Sequence, residues 1–379
     1  GAGIGYTSMR IRGTDGSRIN VTANGIPINN PESHNVYWVN MPDLASSLRD
    51  VQVQRGAGTS TNGSGAFGAS INMITDAPSE NPYAELSGAY GAYNTSRETI
   101  RVGSGLLSGH WSFDARISHL NSDGYIDRAS TELWSYFGQA AYRNINTQVR
   151  LLAFGGKEKT YMAWDYASLE DMEKYGRRYN PCGQYIDKDG KIAYYEDQND
   201  NFIQHHFQLL LSQHIGDKLN FNAALHYTAD NGYYDQYKTN RTLEEYGLTP
   251  YYNAEGEKIS KSDLIRLKNN VNDFYGAQLS LNFRDERWNV VGGLAATNFN
   301  GHHFGQVKWV RNYEGPIDPL QKYYDNNGKK SDINMYVRAN YDINSSLSAF
   351  VDLQYRHINY TIKGESDNFD WNIGAPAAL

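Results

Sequence analysis

Cys182 is the single cysteine in 379 residues, so the chain forms no internal disulfide. With no base held beside it, it reads as an incidental residue of a polar loop rather than a nucleophile. No apolar run approaches the roughly 20 residues that a membrane-spanning helix needs, and mean hydropathy is −0.66. A helical membrane protein is thereby excluded, but a barrel is not, because only alternate residues of a strand meet lipid. No basic block interrupts a net charge of −7, which argues against a nucleic-acid partner. There is no serine elbow, no helical His-Glu-x-x-His and no phosphate loop opening a helix, so no catalytic constellation and no enzyme is read here. Acidic pairs such as Asp285-Glu286 fall in predicted turns. No signal peptide is visible either. The chain starts on Gly1-Ala2-Gly3 in mid-pattern, which reads as a truncated piece of a longer protein.

What is present is aromatic and turn-rich, with 30 tyrosines, 36 glycines and 7 tryptophans, the composition of an all-β protein. From Asn81 onward, apolar and polar residues alternate. Trp111, Phe113, Ala115 and Ile117 face one way, and Ser112, Asp114, Arg116 and Ser118 the other. About eleven such strands lie near 82–92, 96–106, 109–119, 134–143, 146–156, 202–214, 219–229, 272–283, 287–298, 332–342 and 347–361. Connections alternate between short turns and long polar stretches, at about 120–133, 157–201, 230–271 and 299–331. Short turns on one rim and long loops on the other are the pattern of an outer-membrane barrel. Tyr90, Tyr93, Trp111, Tyr125, Trp134, Tyr136, Tyr227, Tyr233 and Tyr234 fall near predicted strand ends, where an interfacial girdle belongs.

Ahead of these strands, residues 48–75 read as strand, glycine-rich turn, strand, with glycines at 56, 58, 63, 65 and 68. Glycine at this density permits positive φ and close backbone approach. Val51, Val53, Arg55, Gly56, Gly63, Gly65, Ala66, Gly68, Ile71, Asn72, Ile74 and Thr75 match an "(I/V)E(V/I)xRGP…YGxGAxGGxINIIT" run. By this run the chain resembles TonB-dependent outer-membrane receptors of a Bacteroidetes-like kind, at the end of their plug domain. Ile11-Arg12-Gly13 and Asn24-Gly25-Ile26-Pro27-Ile28 resemble the plug's "xRG" and "DGVP" elements. Gln52, Ala57 and Asn24 depart from the pattern, standing where the family has Glu, Pro and Asp.

The resemblance implies a plug domain, continuing to about residue 80, inside a transmembrane antiparallel β-barrel that occupies 81–379. A complete plugged barrel has 22 strands, so about eleven represent the first half. It also implies a Gram-negative outer-membrane location, TonB as partner through a segment ahead of residue 1, and a surface lipoprotein as a further partner. Active import of a scarce iron chelate, haem or cobalamin follows from the same resemblance. A glycan importer of the same superfamily and a surface-displayed carbohydrate-binding β protein are the alternatives. Plug loops of the family touch substrate, which singles out His34, Tyr37 and Trp38, although the two aromatic residues would equally serve to wedge plug against wall. Arg12 and Arg55 are implied to pair with wall glutamates, since a buried guanidinium needs such a partner. No metal site is firm. Neighbours on a strand point to opposite faces, so neither His205-His206 nor His302-His303 chelates by itself. Glu196, Asp197 and Asp200 form a weak candidate Ca²⁺ site in an outer loop.

Overall fold

The computed structural model describes residues 4–56, 67–313 and 315–379. The first unit is a four-stranded sheet of β1 (Ile19–Ala23), β2 (Ile26–Pro27), β3 (Leu48–Arg55) and β4 (Ala69–Thr75), in the order β2-β1-β4-β3. β1 and β4 run parallel, Ile19 opposite Ala69 and Val21 opposite Ile71, while β3 runs antiparallel to β4. β1 and β4 are buried along most of their length, whereas β3 is an exposed edge. The tight turn before β2 places Asn24 and Gly25 at positive φ, a conformation that Asn and Gly adopt most readily.

The second unit is a twelve-stranded antiparallel sheet with neighbours in chain order. Its first five strands are β5 (Pro82–Gly91), β6 (Thr95–Ser104), β7 (Trp111–Ser122), β8 (Thr131–Arg143) and β9 (Thr147–Tyr161). After α1 (Leu169–Tyr175) and the hairpin of β10 (Gln184–Ile186) and β11 (Ile192–Tyr194) come β12 (Asn199–Ile215) and β13 (Leu219–Thr242). A second small hairpin, β14 (Tyr251–Tyr252) with β15 (Lys258–Ile259), precedes β16 (Lys261–Arg284), β17 (Trp288–Val310), β18 (Lys322–Asn344) and β19 (Leu347–Asp370). A short β20 (Ala375–Ala378) pairs with the end of β19. Eleven long strands are thus joined by a twelfth that is too short to carry an alternation signal.

The sheet is apolar on its outer face. Trp111, Phe113 and Ile117 of β7 are 48, 48 and 49% exposed, whereas Ser112, Arg116 and Ser118 between them are 2, 4 and 3% exposed. A soluble protein buries the other set. Here the polar set packs against the plug sheet and the apolar set forms an outward band, the arrangement required of a strand whose outside is lipid. Paired aromatics mark the inner rim, Trp111 with Tyr142 at 5.0 Å and Trp288 with Tyr341 at 4.4 Å. Trp134 stacks with His119 nearer the outer rim. Tyr234, read from sequence as a girdle residue, instead faces inward and packs edge-on against Trp164 at 5.5 Å.

The loop readings need correction at the outer rim. β13, β16 and β19 each have 24 residues, roughly 80 Å of extended chain. A band about 25 Å tall crossed at 35–45° takes up less than half of that. The stretches 230–242, 261–271, 299–310 and 322–331 are therefore strand, not loop. They were illegible because ladder hydrogen bonds are backbone bonds, which close in water as well as in lipid and leave no apolar mark on one face. Their own small core, with Leu243, Tyr246, Leu264, Val307, Val310 and Tyr323 buried, holds the projection together.

Placing Arg at Ile117 is expected to weaken insertion into bilayers by about 2–4 kcal/mol, read from reversible folding into lipid vesicles. The same change at Ile145, in the inner turn, is expected to be nearly neutral. Equal tolerance at both positions would mean that the outward face does not meet lipid.

Candidate functional site

The plug is held to the wall by an apolar patch and a ring of charge. Ile19, Val21, Ile71 and Met73 of the plug form one buried cluster with Phe137, Leu152 and Phe154 of the wall. Gly56 has a φ of 87°. Gly68 lies so close to the segment before β1 that an added Cβ would meet Thr14 Oγ1 at 2.3 Å, and its N–H donates to the Arg18 carbonyl at 2.9 Å. Two of the motif's glycines thus serve turn geometry and close packing. Gly63 and Gly65 lie outside the described residues.

The charged ring runs opposite to the expected direction. The wall supplies the arginines and the plug the acids. Asp43, at φ 54°, accepts from Arg116 Nη1 at 3.2 Å, Arg97 Nη1 at 3.2 Å, Ser118 Oγ at 2.6 Å and Ser46 Oγ at 2.6 Å. Arg116 also donates to Ser47 Oγ at 2.7 Å and Ser135 Oγ at 2.9 Å. Arg101 pairs with Asp76 at 2.7 Å, and Arg143 with Glu80 at 3.0 Å. Arg150 donates to Thr75 Oγ1 and to the Asp76 carbonyl. Arg12 and Arg55 instead are exposed, and among the described residues neither makes an ion pair. Arg12 sits at positive φ in a tight turn rather than in a strand, and Arg55 ends the exposed edge β3. The better signal was Arg116 itself, an arginine on the polar face of an alternating strand. Asn24, where the resembling family has Asp, uses both ends of its amide. Its Nδ2 donates to Gln208 of the wall at 2.9 Å and its Oδ1 accepts from the Thr75 N–H at 3.1 Å. A carboxylate cannot make the first of these bonds.

Above the plug, the outer halves of the strands enclose a cavity of about 710 Å³. Plug residues 28–31, 35, 37 and 39–41 form its floor, and β9, β12, β13, β16 and β17 much of its wall. Tyr37 lines this cavity. Trp38 does not. It packs on the plug core and lines a smaller space of about 190 Å³ beside Val36 and Met9. His34 lines a third, about 90 Å³, near Lys330 and Arg356. Burial, then the charges of those two residues, lowers its pKa and favours the neutral imidazole.

Four acidic side chains line the main cavity: Asp367, paired with Lys268, and Glu158, Asp200 and Asp230, which have no cationic partner among the described residues. Asp200 accepts from the Tyr6 hydroxyl of the plug at 2.8 Å, and Asp230 from the amides of Gln204 and Asn272 at 3.3 and 3.2 Å. Burial, followed by the charges of Glu158 and Asp200, pushes the Tyr6 hydroxyl up, so it remains a donor. Asp200 therefore points inward, away from a calcium loop, and among the described residues no three His, Cys, Asp or Glu side chains converge on a metal position. The histidine pairs split as strand geometry requires. His206 stacks on Phe154 inside, while His205 bonds Tyr136. His303 meets Glu32 of the plug at 3.2 Å, while His302 bonds Asp325 at 2.7 Å. Cys182 is buried against Asp165, and burial pushes its thiol up to about 11, which leaves it unreactive.

Residues 1–70 match the family model described as the TonB-dependent Receptor Plug Domain. No curated protein matches the chain. The pyoverdine outer-membrane receptor FpvA of Pseudomonas aeruginosa is similar in structure, with a TM-score of 0.68 at 15% identity, over 96% of this chain and 52% of that one. The yersiniabactin uptake receptor FyuA of Yersinia pestis gives 0.67 at 12%, over 96% and 55%. The ferric citrate transporter FecA gives 0.66 at 16%, over 92% and 48%. The chain spans about half the length of these receptors and shares their plug-and-barrel fold.

Replacing Asp43 with Asn is expected to loosen the plug, because it strands a buried guanidinium, at about 3–5 kcal/mol; Arg55→Ala is expected to change nothing. Protease resistance of the plug checks both. Burial raises the Asp43 carboxyl, but the hydrogen bonds of Ser118 and Ser46 and the charges of Arg116 and Arg97 outweigh it and hold it below its ordinary range. Its contribution is therefore fully present above the ordinary carboxylate pKa and is lost as pH falls through the lowered one. Plug release beginning near neutral pH would contradict this assignment.

Proposed function

We propose that the protein serves TonB-dependent active import of a scarce ligand across the Gram-negative outer membrane, with an iron chelate as the ligand class. The observation that carries this reading is the cavity of about 710 Å³ floored by the plug and walled by the barrel's outer strands. A ligand seated there touches the element that blocks its own path. A porin needs no such floor, and an enzyme would need reacting groups in the cavity beyond those described above. The matched plug family and the printed names of the similar structures, which include receptors for ferric citrate and ferric yersiniabactin, support the iron class. Binding by itself does not open the path, since a ligand held equally well in both plug states shifts nothing. Work delivered through TonB supplies the difference by breaking the plug's contacts with the wall.

A glycan is the second reading, favoured by the aromatic rings of Tyr37, Trp164, Phe202 and Tyr234 on the cavity surface. Purification from native outer membranes followed by mass spectrometry of the bound ligand separates the two. A metal chelate supports the first, an oligosaccharide the second, and recovery in the soluble fraction overturns both. Tyr37→Ala is expected to weaken ligand binding roughly tenfold, with thermal stability unchanged; wild-type affinity in that variant would remove Tyr37 from the site.

A further inference from the structure

The charges in the main cavity do not balance. Its positive groups are already engaged, Lys268 with Asp367 and His303 with Glu32, and among the described residues no arginine lines it. Among the described residues the remaining carboxyl groups have no cationic partner, and burial, then the charge of Asp200, pushes Glu158 up to about 9. Glu158 is 2% exposed, it faces the cavity, and its Oε2 has no hydrogen-bond partner. Asp200 accepts from the Tyr6 hydroxyl and the Asn201 backbone N–H, and Asp230 from two amides. The Oδ1 atoms of Asn270 and Asn272 on the same surface are likewise without donors. A buried carboxylate without a cation is costly, and so is a buried acceptor without a donor. Among the described residues, the wall of this cavity therefore offers more acceptors than donors and cations.

We infer that this cavity receives a cationic, hydrogen-bond-donating group of the ligand, an ammonium or guanidinium, against the wall formed by Glu158, Asp200 and Asp230. The absence among the described residues of three converging metal-ligating side chains points to an organic cation rather than a bare metal ion. Trp164 and Tyr234, packed edge to face beside the carboxylates, add ring surfaces that attract a cation. An anionic ligand would meet repulsion at the same wall. The inference rests on the reading of this cavity as the import site and adds the chemistry of what enters it.

The test uses three ferric trihydroxamates identical except for the end group, which is an ammonium, an acetamide or a carboxylate. They are titrated onto the detergent-purified receptor by fluorescence quenching. A metal-free series of hexylammonium, hexanol and hexanoate is run beside them by calorimetry. The ammonium chelate is expected to bind at least tenfold more tightly than the acetamide and the carboxylate to bind most weakly. Glu158→Gln, which keeps the side-chain volume, is expected to bring the ammonium and acetamide forms within twofold. Asp230→Asn provides a second variant should the first fold poorly. If no ferric chelate binds while the metal-free series keeps its order, the iron-chelate reading fails and the cationic site stands. Equal or tighter binding of the neutral or carboxylate forms overturns the cationic site, as does a complete lack of binding in both series.

Discussion

Lipid offers no hydrogen bonds, so every backbone N–H and C=O crossing it must be satisfied within the sheet. The antiparallel ladder meets that demand for β6 to β18, which pair on both edges, and the rest of the molecule follows from it. A strand that pairs on both edges has only its two faces left for chemistry. Lipid claims the outer one, as at Phe113 and Ile117, and the polar residues between them must point into the lumen. There Arg97, Arg101, Arg116 and Arg150 meet the acids, hydroxyls and carbonyls of the plug, which add to the partners that Ser135, Gln139 and Glu85 supply from the wall.

The plug is therefore held by two kinds of contact with different responses to work. The apolar cluster of Val21, Ile71, Phe137 and Phe154 loses stability with every square ångström exposed. The ring around Asp43 and Asp76 loses direct bonds but regains water, so its net contribution is smaller than its distances suggest. The polar contacts fix the register of the plug against the wall. Asn24, bonded at once to Gln208 on the wall and to Thr75 on the plug, shows how register is set by groups that need both a donor and an acceptor.

The cavity above the plug follows the same logic with the opposite outcome. Around Asp43 the charges are matched, and the structure is closed. Around Glu158 no cationic partner stands among the described residues, and the wall borders a cavity. Strand extensions well beyond the lipid make this possible, because they carry the wall of the lumen upward as a rigid surface, braced by the buried cluster at Leu243, Leu264 and Val310. The cavity wall is thus built largely on strands.

Much of the architecture was legible from the chain alone. Alternation such as Trp111-Ser112-Phe113-Asp114 declares two faces, short turns near Asn144 and Asp285 declare one rim, and the glycine run from Gly56 to Gly68 declares a plug packed at close range. These are local signals, created by side-chain period and backbone conformation. Which face is wet, which arginine meets which acid and which aromatic reaches the cavity are not local. Arg55 and Arg116 look alike in sequence, yet one lies on an exposed edge and the other 3.2 Å from Asp43, seventy-three residues away. Trp38 and Tyr37 are neighbours, yet one packs on the plug core and the other lines the cavity. The sequence determined the faces of each strand because a period of two is intrinsic to the extended backbone. Only the tertiary structure decided the partners, because pairing a charge depends on which surfaces the fold brings within a few ångströms, and that distance is set by the whole sheet at once.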